Sequence, residues 1–509
     1  MDNIAFSDTY IVNPVYKFKN DLKRIMLINN DSYFCNTVEL ELEGKNTTNF
    51  GWRIHPIVAY YFSFFNGELN LDDTLKKISQ ETELHYDEVK NTIIPFIENN
   101  EIMIFPLEIG DINIHSIPKR FLIKKQENLP NRDLLKNIDL ESIIKDYDGK
   151  TARNYIPNEI TFMVTSECVT NCIYCYADRK NPLIPLPVNR FIELIREARK
   201  LGLRNVGISG GDIFAYKYWY ELLQELKENN YGIDDFSTKF PINEETIIKL
   251  KELGVRQIQI SLDTIDNVII KKLLKVDDSY LANMKKTLKN MEKHDLKFTV
   301  KAVITKYNDS IESINNLLSY LLSLKNFIRI SIAPGEYSRF KKFDYKSSVE
   351  KLNKIQDFVK SKKLENIPII FQSYTQPDTD TFEKKMENFH KRALCTGNVH
   401  QFWVLPDGKA TICEQTYWHP FFILGDLNYQ SIMEVWNSEK SLALWNIKQD
   451  EIKQESPCHS CTIFEECRRG LGNCWRDAFA TYGENNYDFP ATNCPYAPPV
   501  KIIEDRYFT

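Results

Sequence analysis

Two periodicities alternate through the middle of the chain. From 159 to about 332, short apolar runs of strand length are each followed by a stretch whose apolar residues recur every three or four positions, the period of a helix with one buried face. Strand-like 160–165 precedes helical 188–201, 205–209 precedes 216–228, and 233–238 precedes 244–253. Then 257–262 leads to 280–294, 298–305 leads to 311–324, and 328–332 closes the series. Strands alternating with helices predict parallel pairing through right-handed crossovers, so residues 158–335 are expected to form an α/β unit, a partial (β/α)6 barrel of the TIM type. Such a barrel performs its chemistry at the C-terminal ends of its strands.

The flanks read differently. Residues 1–116 carry strand-like pieces at 24–28, 32–34 and 38–42, helical patterns at 56–65, 72–80 and 86–99 around an Asn66-Gly67 turn, and a closing strand at 102–105. That order is a winged-helix-like outline. Residues 117–157 are rich in Lys, Asn and Asp with short amphipathic pieces at 133–138 and 140–147, and read as a surface connector. A bridging region, 336–390, holds helical 347–363, strand-like 368–372 and helical 378–392. Residues 391–509 form a cysteine-rich block in which 403–408 reads as a hairpin turn.

Composition narrows the classes. A chain of 509 residues exceeds one ordinary core, and 43% apolar residues suit soluble globular domains. A net charge of −5 with interspersed signs gives no footprint for nucleic acid, and acidic Asp72, Asp73, Glu81, Glu83, Asp87 and Glu88 on the N-terminal helices would repel phosphate. The N-terminus lacks a signal-peptide pattern and the longest apolar run, 56–65, is too short to span a bilayer, so the expectation is a cytoplasmic protein with no membrane partner. Eleven cysteines, an odd number, in such a chain read as metal ligands with Cys35 left over as a core thiol.

Three of those thiols, Cys168, Cys172 and Cys175, fall within eight residues just after the first strand. A closed zinc site asks for four protein ligands, whereas three thiolates on a four-iron cluster leave one iron open. The other strand ends are also polar. The second carries Ser209-Gly210-Gly211-Asp212, the third Ser237-Thr238-Lys239, and the fourth Ser261 and Asp263, while Val303 lies on the fifth. Glycines there let the backbone approach a ligand, and a carboxylate can pair with an ammonium.

The CxxxCxxC spacing, with aromatic Tyr174 before the last Cys, resembles the cluster loop of the radical S-adenosylmethionine (SAM) enzymes. The resemblance implies that Cys168, Cys172 and Cys175 bind a 4Fe-4S cluster whose open iron holds SAM, and that reductive cleavage yields a 5′-deoxyadenosyl radical. It also implies SAM contacts from Tyr174, Ser209, Gly210, Gly211, Asp212, Ser237, Lys239, Ser261, Asp263 and Val303, with Asp212 standing where the family has Glu.

Cys395, Gly408, Cys413, Cys458, Cys461, Cys467, Cys474 and Cys494 resemble the SPASM domain, which implies two auxiliary clusters and three 4Fe-4S clusters in all. Position by position, Cys458, Cys461, Cys467 and Cys494 would hold the distal cluster, and Cys395, Cys413 and Cys474 the nearer one. The six residues before Cys474 exceed the family's three. The nearer cluster has no fourth Cys, so His390 or a substrate thiolate completes it, or its iron stays open.

The N-terminal outline resembles the peptide-recognition domain of enzymes that modify ribosomally synthesised peptides, where a leader adds as a strand to a sheet edge. Together these resemblances imply an oxidoreductase that modifies a precursor peptide bearing a leader, installs a thioether or carbon–carbon cross-link, and draws electrons from a flavodoxin or ferredoxin. Formylglycine formation on a protein, as in sulfatase maturation, and peptide epimerisation are the enzymatic alternatives. An iron–sulfur electron-transfer or scaffold protein is the non-enzymatic one.

Overall fold

The computed structural model describes residues 4–29, 52–101, 103–105, 115–234, 236–336, 338–342, 344–362, 368–371, 381–389, 395–468 and 472–499. The chain divides into two units, 1–158 with 199–205, and 159–198 with 206–509.

In the first unit the strands are β1 (Tyr10–Val12), β2 (Tyr16–Asn20), β3 (Ile25–Asn29), β4 (Trp52–Ile54), β5 (Met103–Phe105), β6 (His115–Ile117) and β7 (Leu122–Lys124). β2, β3 and β4 form an antiparallel sheet in that order, β5 pairs with β6, and β1 with β7. Between β4 and β5 lie helices Pro56–Ser63, Leu71–Thr82 and Tyr86–Ile93. The middle helix begins where Asn70 accepts from the Asp73 amide at 2.8 Å, with Asp72 and Asp73 on the positive end of its dipole. It buries Leu71, Thr74, Leu75 and Ile78, one helical face. The strands expected at 32–34 and 38–42, and Cys35, lie outside the described residues.

The stretch 117–157 is no surface connector. It supplies β7, and Phe121, Leu122, Leu134 and Ile143 join the same apolar core as Leu27, Trp52, Phe62 and Leu75. The Phe121 ring meets that of Phe62 edge-on with centroids 4.8 Å apart. Its polar residues mislead because many of them serve the backbone. Asn99 accepts from the Phe121 amide at 3.0 Å and donates to the Pro118 carbonyl at 2.9 Å.

A buried ion pair stitches the end of this stretch to the β2–β3 turn. Arg24 Nε donates to Asp21 Oδ2 at 2.9 Å with both side chains fully buried, Arg24 Nη2 donates to the Arg153 carbonyl, and Asp21 accepts from the amides of Tyr155 and Ile156. Removing one partner of such a pair strands a charge. Arg24→Met is therefore expected to lower the stability of this unit by roughly 3–5 kcal/mol, read as faster amide hydrogen exchange in β2 and β3; unchanged exchange would refute it.

The second unit is an α/β partial barrel. All six expected strands form in order: β8 (Glu159–Met163), β9 (Asn205–Ser209), β10 (Ser237–Thr238), β11 (Gln257–Ser261), β12 (Lys297–Ile304) and β13 (Phe327–Pro334). Four further strands are β14 (Ile369–Phe371), β15 (Gln401–Val404) with its hairpin partner β16 (Lys409–Thr411), and β17 (Ile423–Asp426). Hydrogen bonding sorts them into two sheets, β10-β11-β12-β13-β14, all parallel, and β17-β16-β15-β8-β9.

Two features depart from the expected barrel. Among the described residues no ladder joins β9 to β10, and the third strand shrinks from the expected 233–238 to two residues. Asp234 is the local cause, because its carboxylate accepts from the Arg256 amide at 2.9 Å and from the Arg256 guanidinium, bonds made by a side chain where a ladder would run. The bridging region adds β14 at one sheet edge, and the cysteine-rich block adds β15 parallel to β8. That second addition carries Cys413, just past β16, to the end of the barrel where the Cys168 loop lies.

Candidate active site

The loop after β8 is pinned through its backbone. The amides of Asn171 and Ile173 donate to the carbonyls of Leu274 and Leu273 at 2.8 and 2.9 Å, at the end of helix Asn267–Leu274, and Ser338 Oγ donates to the Cys175 carbonyl at 2.6 Å. Arg179 donates to the carbonyls of Ser166 and Cys168. With the backbone held, the side chains of Cys168, Cys172 and Cys175 all line one cavity of about 320 Å3. Thr170 Oγ1 lies 3.3 Å from both Cys168 Sγ and Cys172 Sγ, and burial pushes the Cys172 thiol up to about 11.

Gly210 and Gly211 earn their place against the chain itself rather than against a ligand. The Gly211 amide donates to the Thr165 carbonyl at 2.7 Å and the Asp212 amide to the Glu167 carbonyl at 2.8 Å. A methyl group on Gly211 would overlap the Glu167 carbonyl oxygen, and one on Gly210 would stand 2.8 Å from that of Thr165. Asp212, expected to pair with an ammonium, is buried with its carboxylate already engaged. It accepts from Thr238 Oγ1 at 2.8 Å, the Lys239 amide at 2.8 Å and the Phe214 amide at 3.1 Å. Burial raises its pKa, and these donors oppose the rise only in part.

Asp263 also departs from its expected place. It is fully buried behind Tyr174 and does not line the cavity, whereas Tyr174, Ser209, Gly210, Gly211, Asp212, Ser237, Lys239, Ser261 and Val303 all do. Its Oδ1 accepts from the Val303 amide at 2.9 Å; its Oδ2 accepts from the Tyr174 hydroxyl and lies 3.5 Å from Lys239 Nζ. Lys239 Nζ also donates to the Tyr174 hydroxyl at 3.0 Å. Burial pushes the Lys239 ammonium down; Asp263 together with Cys172 and Cys168 more than offsets this, and the net shift is upward. Asp263 thus aims two cavity-lining groups without touching the cavity.

The cavity is also lined by groups the strand-end reading missed. Tyr176 donates to Glu414 Oε2 at 2.9 Å, Glu336 pairs with Arg476 at 2.8 Å, and Lys301 sits beside them. Burial raises the Glu414 carboxyl. Signals for three of these were present. Tyr176 and Glu414 directly follow Cys175 and Cys413, and Lys301 precedes Val303 by two, hence shares its strand face.

The later cysteines gather as two sets. Cys458, Cys461, Cys467 and Cys494 line one small cavity. Cys395 lines a second, and Cys413 and Cys474 lie close enough to bear on its charge. Burial pushes the Cys395 thiol up to about 12 and Cys413 up to about 11, so both stay protonated at neutral pH until a bound metal displaces their protons to solvent. His390 lies outside the described residues. No disulfide joins the ten described cysteines. Among the described residues no three His, Cys, Asp or Glu side chains are arranged around a single metal ion.

Comparison with known proteins follows this division. Residues 162–321 match the radical SAM superfamily and 395–462 the SPASM iron–sulfur cluster-binding domain. The chain carries a radical SAM domain and a SPASM domain. Its fold is shared with Streptococcus suis SuiB bound to the precursor peptide SuiA, at 14% identity and a TM-score of 0.61, over 95% of this chain and 98% of that one. SuiB bound to S-adenosylmethionine gives 15% identity and a TM-score of 0.62 over 94% and 98%.

Among curated proteins the enzyme is similar to a probable GTP 3′,8-cyclase of Methanococcus aeolicus, 23% identical over 42% of this chain and 70% of the relative. It is likewise similar to one from Pyrococcus horikoshii, 30% identical over 25% of this chain and 41% of that protein. The chain thus spans less than half of the second relative. The non-enzymatic alternative falls with the superfamily match.

The residues of the first cavity fit SAM and its cluster. Three converging thiols leave a four-iron cluster one open corner, and the cavity beside them presents an ammonium, hydroxyls and the apolar Val303. Because Asp263 acts through Tyr174 and Lys239, Asp263→Asn is expected to weaken SAM binding about 10- to 100-fold while iron content stays at the wild-type value. Equilibrium dialysis with the reconstituted protein measures this; unaltered affinity would refute it.

Proposed function

We propose that this radical SAM enzyme modifies a ribosomally synthesised precursor peptide and installs a thioether or carbon–carbon cross-link. The observation that carries the reading is the whole-chain likeness to SuiB, whose structure holds a precursor peptide and whose fold includes a counterpart of the N-terminal unit. In this chain that unit offers the edges of the antiparallel β2-β3-β4 sheet, to which an extended leader can add as a further strand. A flavodoxin or ferredoxin would supply electrons.

Cys168, Cys172 and Cys175 would hold the SAM-binding cluster. Cys458, Cys461, Cys467 and Cys494 would hold one auxiliary cluster, and Cys395, Cys413 and Cys474 the other. When bound, SAM and its cluster supply an organic radical that abstracts hydrogen, and the auxiliary clusters supply an acceptor for the electron released as the cross-link closes. The chain's own residues do the positioning. Lys239 and Tyr174, set by Asp263, line the cavity with Ser237 and Ser261, and so do Tyr176, Glu414 and Lys301, which would meet a peptide segment. A nearer auxiliary site with three thiols leaves a position for a substrate thiolate, which favours the thioether.

Two measurements test the reading. Reconstituted with iron and sulfide under anaerobic conditions, the protein should hold roughly twelve irons, and Ala at Cys168, Cys172 and Cys175 together should leave roughly eight and abolish SAM cleavage. Co-expression with a small Cys-bearing peptide encoded beside the gene should give a product short of two hydrogen atoms, with two residues that stay joined on fragmentation. A product of unchanged mass would favour epimerisation, and an aldehyde at a single Cys or Ser would favour formylglycine. An unmodified peptide despite 5′-deoxyadenosine release would overturn the proposal.

A further inference from the structure

Arg468 lies between the two later cysteine sets. Its side chain lines the cavity of Cys458, Cys461, Cys467 and Cys494 and also the cavity of Cys395, and the residue is only 5% exposed. Nη2 donates to Cys458 Sγ at 3.1 Å and to the Asp488 carbonyl at 3.1 Å. Nη1 is buried and has no hydrogen-bond partner among the described residues. The guanidinium carbon stands 5.1 Å from the Trp475 ring centroid and 5.7 Å from that of Phe464, so aromatic rings hold it in place.

A guanidinium cannot shed its proton, and a buried cation is costly unless opposite charge and hydrogen-bond acceptors compensate it. Neutral thiols and a backbone carbonyl do neither well. Iron–sulfur clusters ligated by thiolates do both, since they are anionic and present sulfur acceptors. An orphaned, buried N–H beside two cysteine sets is the mark of a site shaped for such a group. Lys in this place would keep the charge but not the fork that sends one nitrogen to Cys458 and leaves a second to donate elsewhere.

We infer that Arg468 is a positioning residue shared by the two auxiliary sites, donating one hydrogen bond to the Cys458 thiolate and another to a cluster sulfur, and setting the reduction potential by its charge. The inference rests on the reading that the two cysteine sets bind clusters. The sign follows from charge. Reduction adds a negative charge to a cluster, so a fixed cation and hydrogen bonds to sulfur favour the reduced form and raise the potential.

The test uses the full chain with Ala at Cys168, Cys172 and Cys175, so that only auxiliary clusters contribute, reconstituted as it stands and with Arg468→Met or Arg468→Lys added. Redox titration followed by electron paramagnetic resonance, with iron and sulfide counts, gives the readout. The expected result is wild-type iron with at least one auxiliary potential displaced to more negative values in Arg468→Met, and a smaller displacement of the same sign in Arg468→Lys. If Arg468→Met fails to hold iron, the displacement in Arg468→Lys decides alone. Potentials equal to the parent's at full iron content overturn the inference, as does equal loss of iron from both variants, which would make Arg468 merely structural. A parent lacking roughly eight irons would instead overturn the assignment of the cysteine sets.

Discussion

The site depends on a close backbone approach between the first two strand ends of the barrel. The Val164 amide donates to the Ser209 carbonyl, the Gly211 amide to Thr165 and the Asp212 amide to Glu167, a run of hydrogen bonds that only residues without a Cβ permit at 210 and 211. This run continues β9 alongside the start of the cysteine loop. Asp212 then reaches on from the second strand to the third, where Thr238 and the Lys239 amide donate to it. Among the described residues the two sheets share no ladder between β9 and β10, and one buried carboxylate spans the gap. A carboxylate engaged in this way has its structural work inside the protein, which gives the shorter Asp in place of Glu a physical meaning.

From that frame the charges arrange themselves around the cavity in two groups. In one, Lys239, Tyr174 and Asp263 form a compact set in which the buried carboxylate orients an ammonium and a phenol. In the other, Tyr176 donates to Glu414 and Arg476 pairs with Glu336, next to Cys175, Cys413 and Cys474. Each pair ties a residue beside a cysteine to a partner from another segment. The cysteine-rich block is therefore part of the cavity wall, brought there because β15 adds in parallel to β8.

Much of this was legible in one sequence. The alternation of strand and helix periods located all six barrel strands, and nine of the ten expected SAM-contact residues line the cavity, because strand ends in a parallel barrel must share one face. Four of the seven later cysteines, Cys458, Cys461, Cys467 and Cys494, line one cavity. What misled was local chemistry. Lys, Asn and Asp in 117–157 suggested a solvated connector, yet Phe121, Leu122, Leu134 and Ile143 complete a core. A strand at 233–238 was expected from its apolar residues, but Asp234 gave its oxygens to Arg256 instead.

Sequence by itself determined the order of strands and helices and the identity of the chemical groups, because periodicity and spacing are properties of neighbours along the chain. The partners of those groups were decided only by tertiary structure. Asp263 reads as a contact at a strand end until burial places Tyr174 in front of it, and Gly211 reads as room for a ligand until the Glu167 carbonyl fills that room. Arg468 is the extreme case. As one of two arginines after Cys467 it carries no signal, and its meaning comes from being buried between two sets of thiols that the chain separates by dozens of residues. Hydrogen bonds and charge act through space over a few ångströms, and which atoms come that close is settled by packing rather than by order along the backbone.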